Sequence, residues 1–575
     1  MFVTEYNQLN EMVHALKMTK LFFFDTETNG LYWSQGHRPC GLSFRTNGVS
    51  WYVPLRHKEG INLEPEKVYN ALKPVFEDPA KTSAGQNIKF DVHGMLSEGM
   101  NFKNKIADIM LAAHFINENE SSFKLENLAD KYLGPNTSIE SQKLDALLKA
   151  NKMGKGDIWK LPSHVVAPYA EADVFMPDEL WNKIYKPVLM KAPQKLRDLL
   201  IEIFEYERVI TDIERNGFLL DMERLQLIKN EASQKLNDMQ IELEKLSWAK
   251  FNPNSYIQVR KLLGVHATDR KSLQKAKFKS EAERRAANEI IEYRMWSKAL
   301  NTYYSPFEEA AIKNGNNTIY PNFFLAGTVT GRLSCKEPNL QAIPRDTENI
   351  YKVKQLIIAP EGKTLLSADY SQAELRLLAH YTREPAMVKI FQDGKDIHSG
   401  TAAEMNVTRQ VAKGINFGIV YGIGAEELAR NLSCSVSLAT EYLKTYHAKF
   451  PSIRKLYNHC QNMAYSRRYI SMWTGRQRHF NCPKAEEWKA MSNLIQGGIG
   501  EIMRVSIIRL HKYYKNEGVK ILNQVHDDII YDIDDKILKD ELPVISNIMR
   551  DFKFLVPMAA EMKIGHRWSE LKVVP

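Results

Sequence analysis

Two stretches place acidic side chains where metal-dependent chemistry could use them. Thr364–His380, TLLSADYSQAELRLLAH, ends a short apolar run (Leu365, Leu366, Ala368) at Asp369. Such a run suits a buried strand. Asp369 is thus delivered from the end of a rigid element, a better mount than a loop. Ser371 and Glu374 have capping-box spacing, which predicts a helix starting there with Leu375, Leu378 and Ala379 facing inward. The second stretch, Ile521–Ile533, ILNQVHDDIIYDI, sets His526, Asp527 and Asp528 between two apolar half-strands, as at the turn of a tight hairpin. Adjacent aspartates repel each other, and a bound cation relieves the repulsion. A lone Asp at a strand end is more often only a helix cap. Two such sites of bare carboxylates, with no Cys or His cluster, suit hard magnesium ions rather than zinc.

A third group of acids lies near the start. In LFFFDTETNG (Leu21–Gly30) Asp25 and Glu27 follow an apolar run at spacing two. On a strand that spacing puts both carboxylates on one face. Asp91 ends NIKFD, and in YAEAD Asp173 follows Tyr169 by one helical turn. Each piece alone reads as an ordinary polar turn. Four carboxylates and a tyrosine in this order make a specific pattern.

Cations and aromatics form a fourth feature. A helix is predicted from Thr408 to Tyr421, with Gly422 and Gly424 ending it. Arg409, Lys413, Phe417 and Tyr421 recur every four residues, so they share one face within about 120°. Cations near the positive end of a helix are unfavourable unless an anion meets them. A triphosphate on Arg409 and Lys413, with a base and sugar against Phe417 and Tyr421, fits that order. Gly327–Arg345, GTVTGRLSCKEPNLQAIPR, is loop-like and dense in hydrogen-bonding side chains, as a nucleic-acid groove requires.

The totals permit several domains. The chain has 575 residues, 44% hydrophobic and 26% charged, with net charge +9. This is the composition of an ordinary soluble globular protein. Five cysteines without a CxxC pair indicate neither a zinc site nor a disulfide framework and fit a reducing compartment. No signal peptide or membrane span is read, so the expected location is cytoplasmic, without a membrane partner. From about Leu199 to Lys313 the pattern is helical and charged. Lys250–Lys298 holds twelve Lys or Arg against five Asp or Glu. A mixed-charge helix face is normally only solvated. The sign bias here favours a surface that tracks phosphates.

The first 190 or so residues resemble the DnaQ-like 3′–5′ exonucleases. That resemblance implies that Asp25, Glu27, Asp91 and Asp173 hold two divalent metals, that Tyr169 orients the attacking water, and that Asn87 and Phe90 sit nearby. Over nearly all of its length the sequence resembles family A DNA polymerases of the bacterial DNA polymerase I type, with a proofreading domain and without a 5′ nuclease domain. DYSQAELR resembles motif A, RQVAKGINFGIVYG motif B and QVHDD motif C. TVTGRLS, PNLQAIPR and VPMAAEMKIGHRWSELK match flanking segments. The compact chain suggests a phage replicative enzyme.

The resemblance implies that Asp369 and Asp527, with Asp528 and Tyr370, bind two magnesium ions, for which manganese can substitute. Arg409, Lys413 and His398 would bind phosphates, and Lys413 would also protonate the pyrophosphate. Glu374 would exclude a 2′-hydroxyl, Phe417 would flank the sugar and Tyr421 would stack near the template base. Arg332 and Gln496 would read the minor groove, and Gln372 and His526 would complete the substrate contacts. Three positions depart from the pattern. Gly414 stands where the family usually has Thr, at a cost of roughly 1 kcal/mol against Ala, which predicts a looser fingers helix. Asp528 replaces the usual Glu, and Lys489 and Asn493 are out of step before Gln496.

The expected architecture is α/β and multidomain. An RNase H-like exonuclease domain (1–194) precedes a right-hand polymerase domain (195–575). Within the hand the thumb is 195–315, the palm 316–407 and 481–575, and the fingers 408–480, helical throughout. The expected function is primer-dependent DNA synthesis from dNTPs with 3′–5′ proofreading, by a monomer that uses primer–template DNA. Helicase or single-strand-binding proteins are candidate partners. A single-subunit RNA polymerase would share the palm and fingers, but Glu374 and the exonuclease pattern argue against it. A non-catalytic DNA-binding relative would have shed carboxylates that are all in place.

Overall fold

The LFFFDTET run is strand β1 (Leu21–Thr28), and its alternation divides two jobs. Phe22 and Phe24 turn to one side and pack with Phe44 and Phe76, ring centroids 5.3–6.4 Å apart. Asp25 and Glu27 share the other side. β1 pairs with β2 (Pro39–Thr46), which pairs with β3 (Val49–Pro54), both antiparallel. On its other edge β1 runs parallel to β4 (Thr82–Gly85), followed by β5 (Lys105–Asp108). The sheet order is β3-β2-β1-β4-β5. Two helices bring residues to β1: α1 (Lys89–Ser97), carrying Asp91, and α2 (Ser163–Leu180), carrying Tyr169 and Asp173.

The computed structural model describes residues 1–247, 250–344, 351–514 and 518–574. Arg345, which ends the PNLQAIPR segment, lies outside the described residues. A 21-residue helix, α3 (Gln194–Glu214), joins the two halves of the chain. Gly217 follows it at φ +65, where a Cβ would stand 2.5 Å from the Thr318 methyl, so only glycine fits that turn. Long helices Met222–Ser247 and Glu281–Ala299 then pack on each other.

The second sheet is antiparallel throughout. Its strands are β6 (Lys363–Tyr370), β7 (Val519–Val525), β8 (Asp528–Asp534), β9 (Ala560–Gly565) and β10 (Lys572–Val573), in the order β7-β8-β6-β9-β10. Helix Leu538–Arg550 lies against β9 and α3 against β7, while α4 (Ala373–Thr382) packs on α6 (Ala490–Tyr513), with α5 (Arg409–Tyr421) between them in the chain.

Two local expectations are corrected. Ser371 does not cap α4. Gln372 holds the cap position with φ 57 and gives no side-chain cap bond, while Glu374 turns away to partners across the cleft. The segment 408–480 is not helical throughout. Tyr469–Ser471 and Gln477–His479 pair as a hairpin around Thr474-Gly475, with Ile470 and Arg478 paired and both buried. Glu118 of the N-terminal half holds that hairpin through Arg478 Nη1 (3.0 Å) and His479 Nδ1 (2.9 Å).

Candidate active sites

The first centre forms where β1 meets α2. One carboxylate oxygen from each of Asp25, Glu27 and Asp173 lies within 4.8 Å of the other two. Among the described residues, no other trio of His, Cys, Asp or Glu comes so close. Asp91 sits beside them but is tied down, its Oδ1 accepting from the Thr26 N–H (2.8 Å) and hydroxyl (2.7 Å). Burial, then the charges of Asp91, Glu27 and Asp173, push Asp25 far above the carboxylate range. Burial and the Asp173 charge do the same to Glu27. Burial lifts Asp91 to about 8 and Asp173 to about 7. Glu27 Oε1 and Asp173 Oδ1 are buried with no hydrogen-bond partner among the described residues. Orphaned, mutually repelling oxygens fit a hard divalent cation. Tyr169 stands on the same face of α2 as Asp173 and is 7% exposed. Lys155, which the sequence reading missed, donates to its hydroxyl at 3.3 Å. Nothing in KMGKGD marks this lysine, since only the fold brings it to Tyr169.

The second centre lies at one end of β6 and β8. Their register sets Asp369 opposite Asp528. The β7–β8 hairpin turns through His526, at φ 59, and Asp527. The Tyr370 N–H donates to the Asp527 carbonyl at 3.0 Å, which seats the turn on β6. Three acids therefore meet at one sheet end, though more openly than the first trio. The Asp528 oxygens accept from the Ser367 hydroxyl at 2.9 and 2.8 Å. Burial, then the charges of Asp369 and Asp527, raise Asp528 to about 7. The Tyr370 hydroxyl points into the core, to Ser506 Oγ (2.7 Å) and the Met549 carbonyl (2.6 Å). Only its main chain can face a cation.

Glu374 links α4 to α5. It accepts from Arg332 Nη2 and from the Tyr421 hydroxyl, each at 3.3 Å. Arg332 Nε also donates to the Gln496 carbonyl at 3.1 Å. Burial raises Glu374 above its ordinary range despite Arg332. Along α5, Arg409, Lys413, Phe417 and Tyr421 are all exposed, so the predicted face is open. Asp396 takes Arg409 Nε and Nη2 at 3.0 and 3.2 Å and Gln372 Nε2 at 2.9 Å. His398 lies deeper. It is 4% exposed, with Nδ1 3.1 Å from Asn416 Nδ2 and its ring beside Phe417. His526 is exposed at the hairpin turn. At Gly414 a Cβ would stand 2.5 Å from Leu432 Cδ2. Leu432 fills the space a side chain would take.

A five-stranded sheet carrying buried acids is followed by a second unit whose own five-stranded sheet carries three more. The chain belongs to DNA polymerase family A. Residues 222–570 match the model of that family, and residues 1–188 match that of a 3′-5′ exonuclease. Among curated relatives, DNA polymerase I of Chloroflexus aurantiacus is 27% identical over 99% of this chain and 63% of its own length. DNA polymerase I of Pseudomonas aeruginosa is 28% identical over 96% and 64%. This chain thus spans a little under two thirds of those relatives. A solved structure, the POL domain of Pol1 from M. smegmatis in complex with DNA primer-template and dNTP, superposes with TM-score 0.79 at 21% identity. It covers 99% of this chain and 100% of that one. No helix among the described residues is long and apolar enough to cross a membrane.

Proposed function

We propose that this protein extends a DNA primer on a template from dNTPs and removes mismatched 3′ ends with a separate exonuclease centre. The observation that carries the reading is the register of β6 on β8, which brings Asp369, Asp528 and the Asp527 turn to one end of a sheet. That end adjoins the Glu374–Tyr421 contact with the fingers helix.

The residues divide the work. Asp369 and Asp527, with Asp528 and the Tyr370 main chain, would hold magnesium at the palm. Asp25, Glu27, Asp91 and Asp173 would hold it at the exonuclease centre. Divalent cations, when bound, lower the pKa of the attacking oxygen and neutralise the leaving one. Arg409 and Lys413 receive the triphosphate, with Arg409 exchanging Asp396 for phosphate. Lys413 is placed to protonate the pyrophosphate. Phe417 and Tyr421 flank the sugar and the template base. Glu374, anchored by Arg332, fills the space a 2′-hydroxyl would need. Arg332 and Gln496 face the minor groove, where every correct pair offers acceptors. The basic surface of residues 250–298 follows the duplex backbone. The division at residue 194, with thumb, palm and fingers after it, belongs to the same reading.

The test is one labelled primer–template incubated with and without dNTPs. Asp369→Ala should abolish extension and spare degradation. Asp25→Ala with Glu27→Ala should spare extension and stop removal of a mismatched end. Extension that survives Asp369→Ala would remove the palm centre from the mechanism.

A further inference from the structure

Lys155 has no part in the division of work above, yet its ammonium stands at the exonuclease centre. It opens a short 3-10 turn, Lys155–Lys160, which packs against β1. Its Nζ lies 3.3 Å from the Tyr169 hydroxyl and 5.0 Å from the centre of that ring. Glu126 and Asp145 hold the same ammonium more loosely, at 3.6 and 3.7 Å. Burial disfavours its charge. Glu126, Asp145, Asp173 and Glu27 outweigh that and keep Lys155 above the ordinary lysine range. The side chain is still 43% exposed, so a strand end entering the site can reach it.

A lysine ammonium only donates. The Tyr169 oxygen must therefore accept from Lys155, and its own hydrogen is turned away from the lysine. Asp173 stands one helical turn on, its Oδ1 buried with no hydrogen-bond partner among the described residues. A phenol that accepts from a cation is also a stronger donor. We propose that Lys155 is a positioning residue for 3′-end hydrolysis, fixing the Tyr169 hydroxyl so that its hydrogen is directed to the carboxylate side, where the attacking water must lie. The inference rests on the exonuclease reading of this centre.

In the step itself a water oxygen bonds to phosphorus as the bond from phosphorus to the preceding 3′ oxygen breaks. The water loses a proton, the freed 3′ oxygen gains one, and a nucleoside 5′-monophosphate leaves. Lys155 keeps its three protons throughout, so the balance closes without it.

The test is single-turnover excision from a single-stranded oligonucleotide with magnesium, comparing Lys155→Met, Lys155→Arg, Tyr169→Phe, the double variant Lys155→Met/Tyr169→Phe, and Glu126→Gln/Asp145→Asn. Lys155→Met should slow the chemical step by about tenfold, the effect of one lost positioning contact. The half-saturating oligonucleotide concentration should change little. Lys155→Arg should recover most of the rate. The double variant should be no slower than Tyr169→Phe alone, because the lysine acts through the tyrosine. Losses that multiply, or an equal loss in Glu126→Gln/Asp145→Asn, would make Lys155 a structural tether and overturn the proposal. So would wild-type excision by Lys155→Met. A wild-type chain that excises nothing would overturn the exonuclease reading itself, and this inference with it.

Discussion

Replacing Lys89 by Met should loosen the joint between the two halves of the chain. Lys89 Nζ donates to both oxygens of Glu214, at 2.6 and 2.8 Å. His93 Nε2 donates to one of them at 2.7 Å and the Phe323 N–H to the other at 2.5 Å. Glu214 is 1% exposed, yet these partners hold its carboxyl below the ordinary range in spite of burial. Burial pushes His93 down to about 4, so at neutral pH it donates as a neutral ring and Lys89 alone balances the charge. Removing one partner of such a pair costs about 3–5 kcal/mol, because a charge is left uncompensated. Lys89→Met/Glu214→Met should recover most of that loss. The sign with pH follows from Glu214. Its depressed pKa contributes stability above the unfolded carboxylate range, and this is lost as pH falls through the folded value. The penalty of Lys89→Met should therefore shrink towards pH 4, where Glu214 can neutralise itself. Urea midpoints, with hydrogen exchange of the α1 amides as the local readout, measure both effects. A loss below about 1 kcal/mol at pH 7, or one that does not depend on pH, would show that solvent reaches Glu214 and refute the argument.

Three further outcomes are expected. In metal-free protein, Asp91 at about 8 and Asp173 and Asp528 at about 7 bind protons that the unfolded chain has released, so stability should fall from pH 5 to pH 8. Added magnesium should flatten that slope, and melting curves with and without the ion at each pH decide it. Gly414→Ala sets a helix-propensity gain of about 1 kcal/mol against overpacking on Leu432 worth about 1–3 kcal/mol, so urea unfolding should show net destabilisation. A more stable variant would mean that Leu432 moves aside freely. Glu374→Ala frees Arg332 and Tyr421 and opens their cleft. Single-nucleotide insertion should then show discrimination against rNTPs reduced by at least about tenfold, and unchanged selectivity would remove Glu374 from sugar recognition.

Much of the candidate chemistry was legible because it is local. The two-residue spacing of Asp25 and Glu27, the acids at the β7–β8 turn and the four-residue step along α5 each follow from the period of one element. Where competing signals met, the local reading failed. Ser371 and Glu374 have capping spacing, but Glu374 meets Arg332 and Tyr421 across the cleft, and Gln372 takes the cap. The Tyr469–His479 hairpin buries Arg478 opposite Ile470, and an arginine on the inward face leaves no apolar alternation to read. Lys155 and Glu214 left no trace in the sequence. The partners of Glu214 lie more than a hundred positions away, and only the folded chain shows that Gly414 makes room for Leu432.

Neighbouring residues of α3 reach in opposite directions. The Tyr206 hydroxyl donates to Gln524 Oε1 at 3.1 Å, on the strand that leads into the Asp527 turn. The carboxyl of Glu207, pushed far above its ordinary range by burial and by the charge of Asp108, stands near Asp108, which takes the Ile88 N–H ahead of Asp91. One rod about 30 Å long thus braces both workplaces from between them. Unwinding α3 would release Gln524 and Asp108 together, so a break in this one helix is felt at both acid clusters.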